Sequence, residues 1–564
     1  MDSLIIGTRG SPLSIIAAGI VSSRIKKAFP ELSIIIKKIR TEGDNDRTTP
    51  IPDLNYKKGD GIFTTLIEKE LLNGSIDIAV HSLKDLPTLL PRGLIIGAVL
   101  ERDDPRDVLI SRDKLKLKDL PNHATIGTDS PRRSAQLLAF RKDINVKSLR
   151  GNVQTRIQKL FRGDYDAIVL SAAGILRLGL SRKITQYLPL DIMLPAPGQG
   201  AVAVEIRDGD GEIMEITCSI NHKPTELAVN CEREFLLNLG GGCRVPIGAH
   251  SNLKDGVLTL DGMISNNDGT QIFREVLKSN YSGYKKIGMR LAKLLLKKGA
   301  KKILKEHLAL YNKKILITRA SEQANELSDK LSALGASTIL FPTIKFEPLA
   351  ESQSLRLTNN LEKCDWLVFT SVNGVRFFFE CLEKERYDIK ILNFKKIAAV
   401  GPSTAASLNK KGIKVDFFPK RHLTSEIAGG MGGIVGKRIL LPRTDIACRD
   451  LAKQLTNKGA LVDEVVVYRT LSVDDSRAIE LNWLLEERKL DLIIFTSAST
   501  VQNFARLLSR INVRYSKDFK TKVACIGPVT AKAAEMAGIK PDIVAKIYTI
   551  DGLLAEILQD LQEF

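Results

Sequence analysis

Long apolar runs are the first thing this chain lacks. No stretch approaches the ~18 consecutive apolar residues of a membrane helix, so no membrane partner is expected. The seven cysteines (218, 231, 243, 364, 381, 448 and 525) form no CxxC pair and are odd in number. That excludes a disulfide framework and points to a reducing cytoplasm. The six histidines show neither HxxxH nor Cys/His ligand spacing, so no metal site is expected. Aromatics make up only 5%, and no nucleic-acid module can be read. Acidic residues are also short, 65 against 84 basic ones, which leaves a net charge of +19. Such a balance implies acidic partners, but without a binding module nucleic acid is not the expected one.

The 564 residues suffice for several domains of ~100–200 residues each. Leu13 to Val21 is apolar and follows Arg9, as in a signal peptide. However, Ser11 and Pro12 read as a cap and a first helical position, with Leu13, Ile16, Ala17, Ile20 and Val21 on one face. A soluble, untargeted protein is expected. Lys297, Lys298, Lys301, Lys302 and Lys305 are expected to form a solvated face of one helix.

The stretch GGGCRVPIG (240–248) is the most informative. Its glycines remove bulk, Pro246 stiffens the exit, and Arg244 beside Cys243 favours the thiolate. A glycine turn with an incidental cysteine is the alternative. Elsewhere single arginines recur at loop or element ends: Arg9, Arg132, Arg133, Arg150, Arg156 and Arg177. Scattered guanidinium forks suit a small ligand with many carboxylates. Short apolar strands alternate with helical patterns, predicting α/β sheets with ligands at strand C-terminal ends. HSLKDLP (81–87) falls at such an end. Its Lys84–Asp85 pair is either a structural ion pair or a carboxylate facing a cationic reacting centre. Ser130-Pro131-Arg132-Arg133 opens a helix, a natural anion site.

Eight motifs in order, TRGSPL, HSLKDLP, ERDDPRD, SPRR, SLRGNVQTR, YDAIVLSAAG, LPAPGQGA and GGGCRVPIGA, resemble porphobilinogen deaminase (hydroxymethylbilane synthase) over about residues 3–310. The resemblance implies a dipyrromethane cofactor attached covalently to Cys243 and extended by four porphobilinogens, each losing ammonia. It implies that Asp85 stabilises the cationic methylene-pyrrolenine and assists proton transfer. Ser11, Lys84, Asp85, Ser130, Arg132 and Arg133 would hold the cofactor; Arg9, Arg150, Arg156 and Arg177 would hold substrate carboxylates. Two departures stand out: Asp60 replaces the usual lysine in the loop over the active site, and Asp129 stands where a hydroxyl is usual.

The second half contains a duplication. Ile315–Arg319 matches Ile439–Arg443 with a shift of 124, and Thr370-Ser371 and Gly401-Pro402 recur at Thr496-Ser497 and Gly527-Pro528 with a shift of 126. Two similar α/β units are implied. Gly429–Gly433 precedes a strand instead of following one, so a connector is expected there and not a dinucleotide fingerprint. TSVNG, GPSTA, the segment around Tyr468, TSAST, GPVTA and Thr549-Ile550-Asp551-Gly552 together resemble uroporphyrinogen-III synthase over about 313–560. That implies closure of hydroxymethylbilane with inversion of the last ring. Ser371, Thr404, Ser497, Thr530 and Thr549 would bind carboxylates, and Tyr468 would help water leave. A partly buried sheet tyrosine is the alternative for Tyr468.

Together the resemblances imply an α/β multidomain protein. The first half would hold two periplasmic-binding-like α/β domains (1–104 with 200–218; 105–199) and a small α+β domain carrying the cofactor cysteine (219–311). The second would hold two flavodoxin/Rossmann-like α/β domains (312–348 with 469–564; 349–468). A monomeric, bifunctional cytoplasmic enzyme acting on small molecules is expected; a deaminase with an inactive or regulatory second half is the alternative.

Overall fold

The computed structural model describes all residues except 42–63, 92, 241–244, 281–282, 349–350, 420–423, 448, 488–489, 512–520 and 563–564. Cys243, Arg244 and the loop containing Asp60 therefore lie outside the described residues. The chain divides into two compact units, Met1–Lys313 with Ser328–Ser337, and Lys314–Leu327 with Thr338–Phe564. It is a mixed α/β protein, with five sheets among the described residues.

In the first sheet Ser3–Arg9 lies between Ser33–Ile39 and Ile78–Ser82, both parallel to it. Val202–Arg207 pairs antiparallel with Ile78–Ser82 and carries Leu94–Val99 on its far side. Leu4, Ile6, Ile78, Val80, Val204 and Ile206 bury one face against Ala17, Ala18, Val21 and Ile25 of the helix Pro12–Ala28. Each fully buried aliphatic side chain contributes roughly 1.5–3 kcal/mol. The helix starts as its sequence predicts: the Ser14 N–H donates to Ser11 Oγ at 3.2 Å, and Pro12 occupies the first turn.

The second sheet runs Asn145–Lys147, Thr125–Gly127, Ala167–Ser171, Asp107–Ser111, Gln186–Tyr187. Thr125–Gly127 and Ala167–Ser171 are parallel, and Asp107–Ser111 is antiparallel to the latter, with Asp107 opposite Ser171. Both sheets thus share one device. An antiparallel strand begins where a parallel strand ends, Val202 opposite Ser82 and Asp107 opposite Ser171. Residues just before or at the start of these strands are thereby delivered to the edge where the parallel strands end.

The third sheet is an antiparallel meander, Ile247–Lys254, Val257–Ser265, Ile272–Asn280. It packs on the helices Lys223–Asn238 and Tyr284–Leu295. A Cβ on Gly288 would stand 2.6 Å from Cys231 O and from Phe235 N, so glycine lets those two helices touch. The lysine-rich segment is not one helix. Gly299, with φ +121°, breaks it, and the helix Lys301–His307 resumes at a new angle that buries Ile303 and Leu304. A left-handed glycine is needed because Ala300 must be fully buried just after Lys297 and Lys298.

The second unit contains two five-stranded sheets. One runs Ser337–Leu340, Lys314–Ile317, Leu492–Phe495, Lys522–Cys525, Ile543–Val544; the other runs Ile344–Pro348, Leu461–Ser472, Arg438–Thr444, Trp366–Phe369, Lys396–Ala399. The repeat is visible as equivalent strand–turn–helix steps. Ser371 and Ser497 cap the helices Val372–Lys384 and Ala498–Arg510, while Pro402 and Pro528 open the next ones. Gly429 and Gly430 belong to a helix, Thr424–Gly430, instead of a connector; Phe417 packs at the Gly430 backbone. Among the described residues no helix is long and apolar enough to cross a membrane.

Candidate active sites

In the first unit the site grows from the end of Ile78–Ser82. The chain turns there through a short 3-10 segment, Leu83–Asp85. Leu83 is buried against Gly198, which tips Lys84 inward and leaves Asp85 exposed. The Lys84 ammonium donates to Gln199 Oε1 at 3.3 Å. Gln199 is buried, and its Nε2 donates to Asp107 Oδ1 at 3.0 Å and to the Pro105 carbonyl at 2.8 Å. Asp107 is fully buried and also accepts from Arg132 Nη1 at 2.8 Å and Arg133 Nη2 at 2.7 Å. Arg132 also donates to the Leu194 carbonyl and Arg133 to that of Val169. One buried carboxylate thus holds both arginines, and one buried amide ties it to Lys84.

The turn that presents Gln199 has its own clamp. Glu232, fully buried, receives Arg102 through two bonds (2.6 and 3.1 Å) and accepts the Gly198 N–H at 2.7 Å. Arg102 Nε closes the ring on the Gln199 carbonyl at 2.8 Å.

Electrostatics show which predicted residues converge. Burial pushes the Lys84 ammonium down to about 8; Asp85 and Asp107 oppose this, Arg133 and Arg132 reinforce it. Although part of Lys84 meets solvent, its ammonium end is enclosed. Burial likewise lowers Arg156 to about 10, helped by Arg133 and Arg150 and opposed by Asp129 and Asp85. Burial resists ionisation of Asp107, but Arg132 and Arg133 outweigh it and hold this carboxyl well below its usual range. Lys84, Asp85, Arg132, Arg133, Arg150 and Arg156 therefore share one neighbourhood. Arg156 Nε donates to the Gly151 carbonyl, and among the described residues no carboxylate pairs with it. Arg150 lies 3.9 Å from Asp129, which also accepts from Ser148 Oγ, so the unusual aspartate offsets part of that cation's charge.

Arg177 donates to Asp103 at 2.6 Å and to the Gly200 carbonyl at 2.8 Å. Arg9 ends its strand, one residue after the buried Thr8. Ser11 contacts Ser14 Oγ at 2.7 Å while capping its helix, and Ser130 precedes its helix without a side-chain capping bond. Asp107, Gln199 and Glu232 received no role from the sequence. Asp107 and Gln199 lay inside quoted motifs, ERDDPRD and LPAPGQGA, and that was their only signal.

In the second unit Tyr468 is buried, stacked on Phe377 at 5.0 Å between ring centroids, with its hydroxyl 3.4 Å from Ser371 Oγ. Burial pushes its phenol up; hydrogen bonds from Ser371 and Asn373 oppose that. Ser371, Ser497 and Thr549 each accept a main-chain N–H at a helix start (3.0, 3.3 and 3.1 Å). Thr404 and Thr530 are buried in the first turns of theirs. Gln323 and Asn373 hydrogen-bond across from one sheet's helix to the other's; Asn373 lies inside the TSVNG motif without a role expected there, and Gln323 lies in no motif.

Both halves of the chain match known families. Residues 4–215 match the family model "Porphobilinogen deaminase, dipyromethane cofactor binding domain", and 226–297 match "Porphobilinogen deaminase, C-terminal domain". Residues 325–555 match "Uroporphyrinogen-III synthase HemD". The chain is 46% identical over 300 residues to a porphobilinogen deaminase of Pelotomaculum thermopropionicum, covering 53% of this chain and 95% of the relative. It is 43% identical over 305 residues to that of Thermus thermophilus, covering 54% and 99%. A solved uroporphyrinogen III synthase of Thermus thermophilus aligns at 20% identity, covering 45% of this chain and all of that one, with a TM-score of 0.35. The synthase of Helicobacter pylori aligns at 21%, covering 44% and 99%, with a TM-score of 0.30. The chain belongs to the porphobilinogen deaminase family, and the same polypeptide continues into a uroporphyrinogen-III synthase domain.

Proposed function

We propose that the two enzymes divide the work as two successive steps, the first unit converting four porphobilinogens to hydroxymethylbilane and the second closing it to uroporphyrinogen III. The gathering of Lys84, Arg132, Arg133, Arg150 and Arg156 around Asp85 carries this reading. Such a cation-rich, part-buried neighbourhood suits an oligopyrrole whose every ring bears two carboxylates. The negative charge of a bound ligand would offset the burial that now depresses Lys84 and Arg156, so a dipyrromethane bearing carboxylates fits these residues. When bound, that group supplies the α-free pyrrole to which rings are added. Cys243 would hold it through a thioether, with Ser11, Lys84, Ser130, Arg132 and Arg133 around its carboxylates. Arg9, Arg150, Arg156 and Arg177 would orient incoming porphobilinogen. As the carbon–nitrogen bond of its protonated aminomethyl group breaks and ammonia leaves with the bonding electrons, the Asp85 carboxylate would offset the positive charge left on the methylene; that carbon then bonds the free pyrrole α-carbon, and the proton displaced from the α-carbon would pass to Asp85.

In the second unit Tyr468 would donate a hydrogen bond to the departing hydroxyl, with Ser371, Thr404, Ser497, Thr530 and Thr549 near the carboxylates. We further propose the five-domain division set out from sequence, with the crossings in the second half at about residues 343 and 473. Ile344–Pro348 pairs with Leu461–Ser472 in the sheet that also holds Arg438–Thr444, which supports this adjustment. The protein would act as a cytoplasmic monomer.

The test is to feed intact protein porphobilinogen, then oxidise and separate the products by chromatography. Mainly isomer III is expected. Mainly isomer I would mean that the second half is inactive or regulatory, and unconsumed porphobilinogen would overturn the whole assignment.

A further inference from the structure

The internal repeat puts two arginines at equivalent places, Arg319 after the strand Lys314–Ile317 and Arg443 within the strand Arg438–Thr444. Their surroundings have diverged. Arg443 is buried, and its Nη1 donates to Glu464 Oε2 at 2.6 Å, a structural ion pair inside one sheet. Arg319 has no carboxylate within 4.0 Å among the described residues. Its Nε donates to Gln323 Oε1 at 3.0 Å, and Gln323 Nε2 passes the chain on to Asn373 Oδ1. Asn373 in turn hydrogen-bonds the Tyr468 phenol, which meets Ser371. A single polar chain therefore runs from the end of one sheet to the tyrosine of the other. Among the described residues Arg319 is the cation at the far end of this chain, Arg376 lies near the phenol at the other, and Nε is the one guanidinium nitrogen of Arg319 that is hydrogen-bonded.

We infer that Arg319 anchors a side-chain carboxylate of the linear tetrapyrrole, with Gln323 and Asn373 fixing the guanidinium relative to Tyr468. This rests on the synthase reading of the second unit. Three features support it. The two Nη groups form the fork that grips a carboxylate bidentately. Burial already lowers the pKa of this guanidinium, with only Glu326 opposing, so a bound carboxylate would meet a poorly compensated cation. Finally, the Gln323–Asn373 link crosses between the two sheets, so an anion held by Arg319 would be held at a fixed distance from the phenol. Arg443 cannot take this role while Glu464 holds it.

The test uses the full chain and hydroxymethylbilane as substrate, with wild type, Arg319→Gln, Arg319→Lys and Arg443→Gln. Losing a charge-assisted pair should raise KM roughly ten- to hundredfold in Arg319→Gln, with kcat within about threefold of wild type. Arg319→Lys keeps the charge but not the fork and should fall between. Arg443→Gln should lower the melting temperature and leave KM alone. Near-ultraviolet circular dichroism reports folding, since both tryptophans, Trp366 and Trp483, lie in this unit. If Arg319→Gln does not fold, Arg319→Lys decides: a KM raised at least threefold supports the anchor, and an unchanged KM overturns it. An unchanged KM in folded Arg319→Gln overturns it too. Failure of wild type to give isomer III would instead overturn the synthase reading, which separates the two outcomes.

Discussion

Replacing Asp107 by asparagine is the sharpest probe of the first site. The carboxylate is fully buried and is shared by Arg132, Arg133 and Gln199. Asparagine keeps the shape and one acceptor, but leaves two buried guanidinium groups without a counter-charge. Breaking a buried pair costs about 3–5 kcal/mol; the surviving acceptor argues for the lower end. At ~2–4 °C per kcal/mol for a body of this size, the first unit should melt roughly 6–12 °C lower. The sign with pH is fixed by the direction of the shift. The folded carboxyl lies below its unfolded value of ~3.9, so its stabilisation is fully present above about pH 4–5 and is lost as pH falls through the folded value. The gap between wild type and variant should therefore be constant from pH 8 to 5 and shrink in stronger acid. Calorimetry of the full chain measures it, and hydrogen exchange at residues 108–110 assigns the transition. A melting point within 2 °C of wild type would refute the reasoning, as would a gap undiminished at pH 3.

Two further outcomes are expected. Asp85→Asn should cut turnover by roughly two to four orders of magnitude and leave the melting temperature unchanged, because this side chain is exposed and the Lys84 ammonium bonds Gln199; near-normal turnover would leave Asp85 a surface carboxylate with no part in the reaction. Intact-mass analysis should find one dipyrromethane per chain, absent from Cys243→Ser. Burial pushes the thiols of Cys231, Cys364 and Cys525 up to about 12, 11 and 12, so these should stay unmodified, and an adduct on any of them would contradict the assignment.

The sequence exposed the site wherever function follows a parallel strand. Lys84 and Asp85 come straight after Ile78–Ser82, and Arg132 and Arg133 open a helix after Thr125–Gly127, so strand-end reasoning reached them. Asp107 and Gln199 escaped it because they lie at or before the start of strands whose antiparallel direction no local pattern reveals. Glu232 escaped for another reason: on a helix of alternating charged and apolar residues, nothing marks one glutamate as buried. In the second half, hydroxyl-rich turns were legible, but the same hydroxyls also satisfy helix N-termini. The break at Gly299 was hidden by the lysines around it, which count as good helix formers.

That break has an electrostatic consequence. On an unbroken helix Lys297, Lys301 and Lys305 would form a ladder one turn apart, a linear array suited to a polyanion backbone. With the axis redirected at Gly299, Lys297 and Lys298 sit on one segment and the remaining three on the next, and Lys298 is engaged by Glu275. The cations then act as a diffuse field with no directional groove. Such a field draws in compact multivalent acids over about a Debye length, ~8 Å at physiological salt, and offers a long phosphate chain no track to follow.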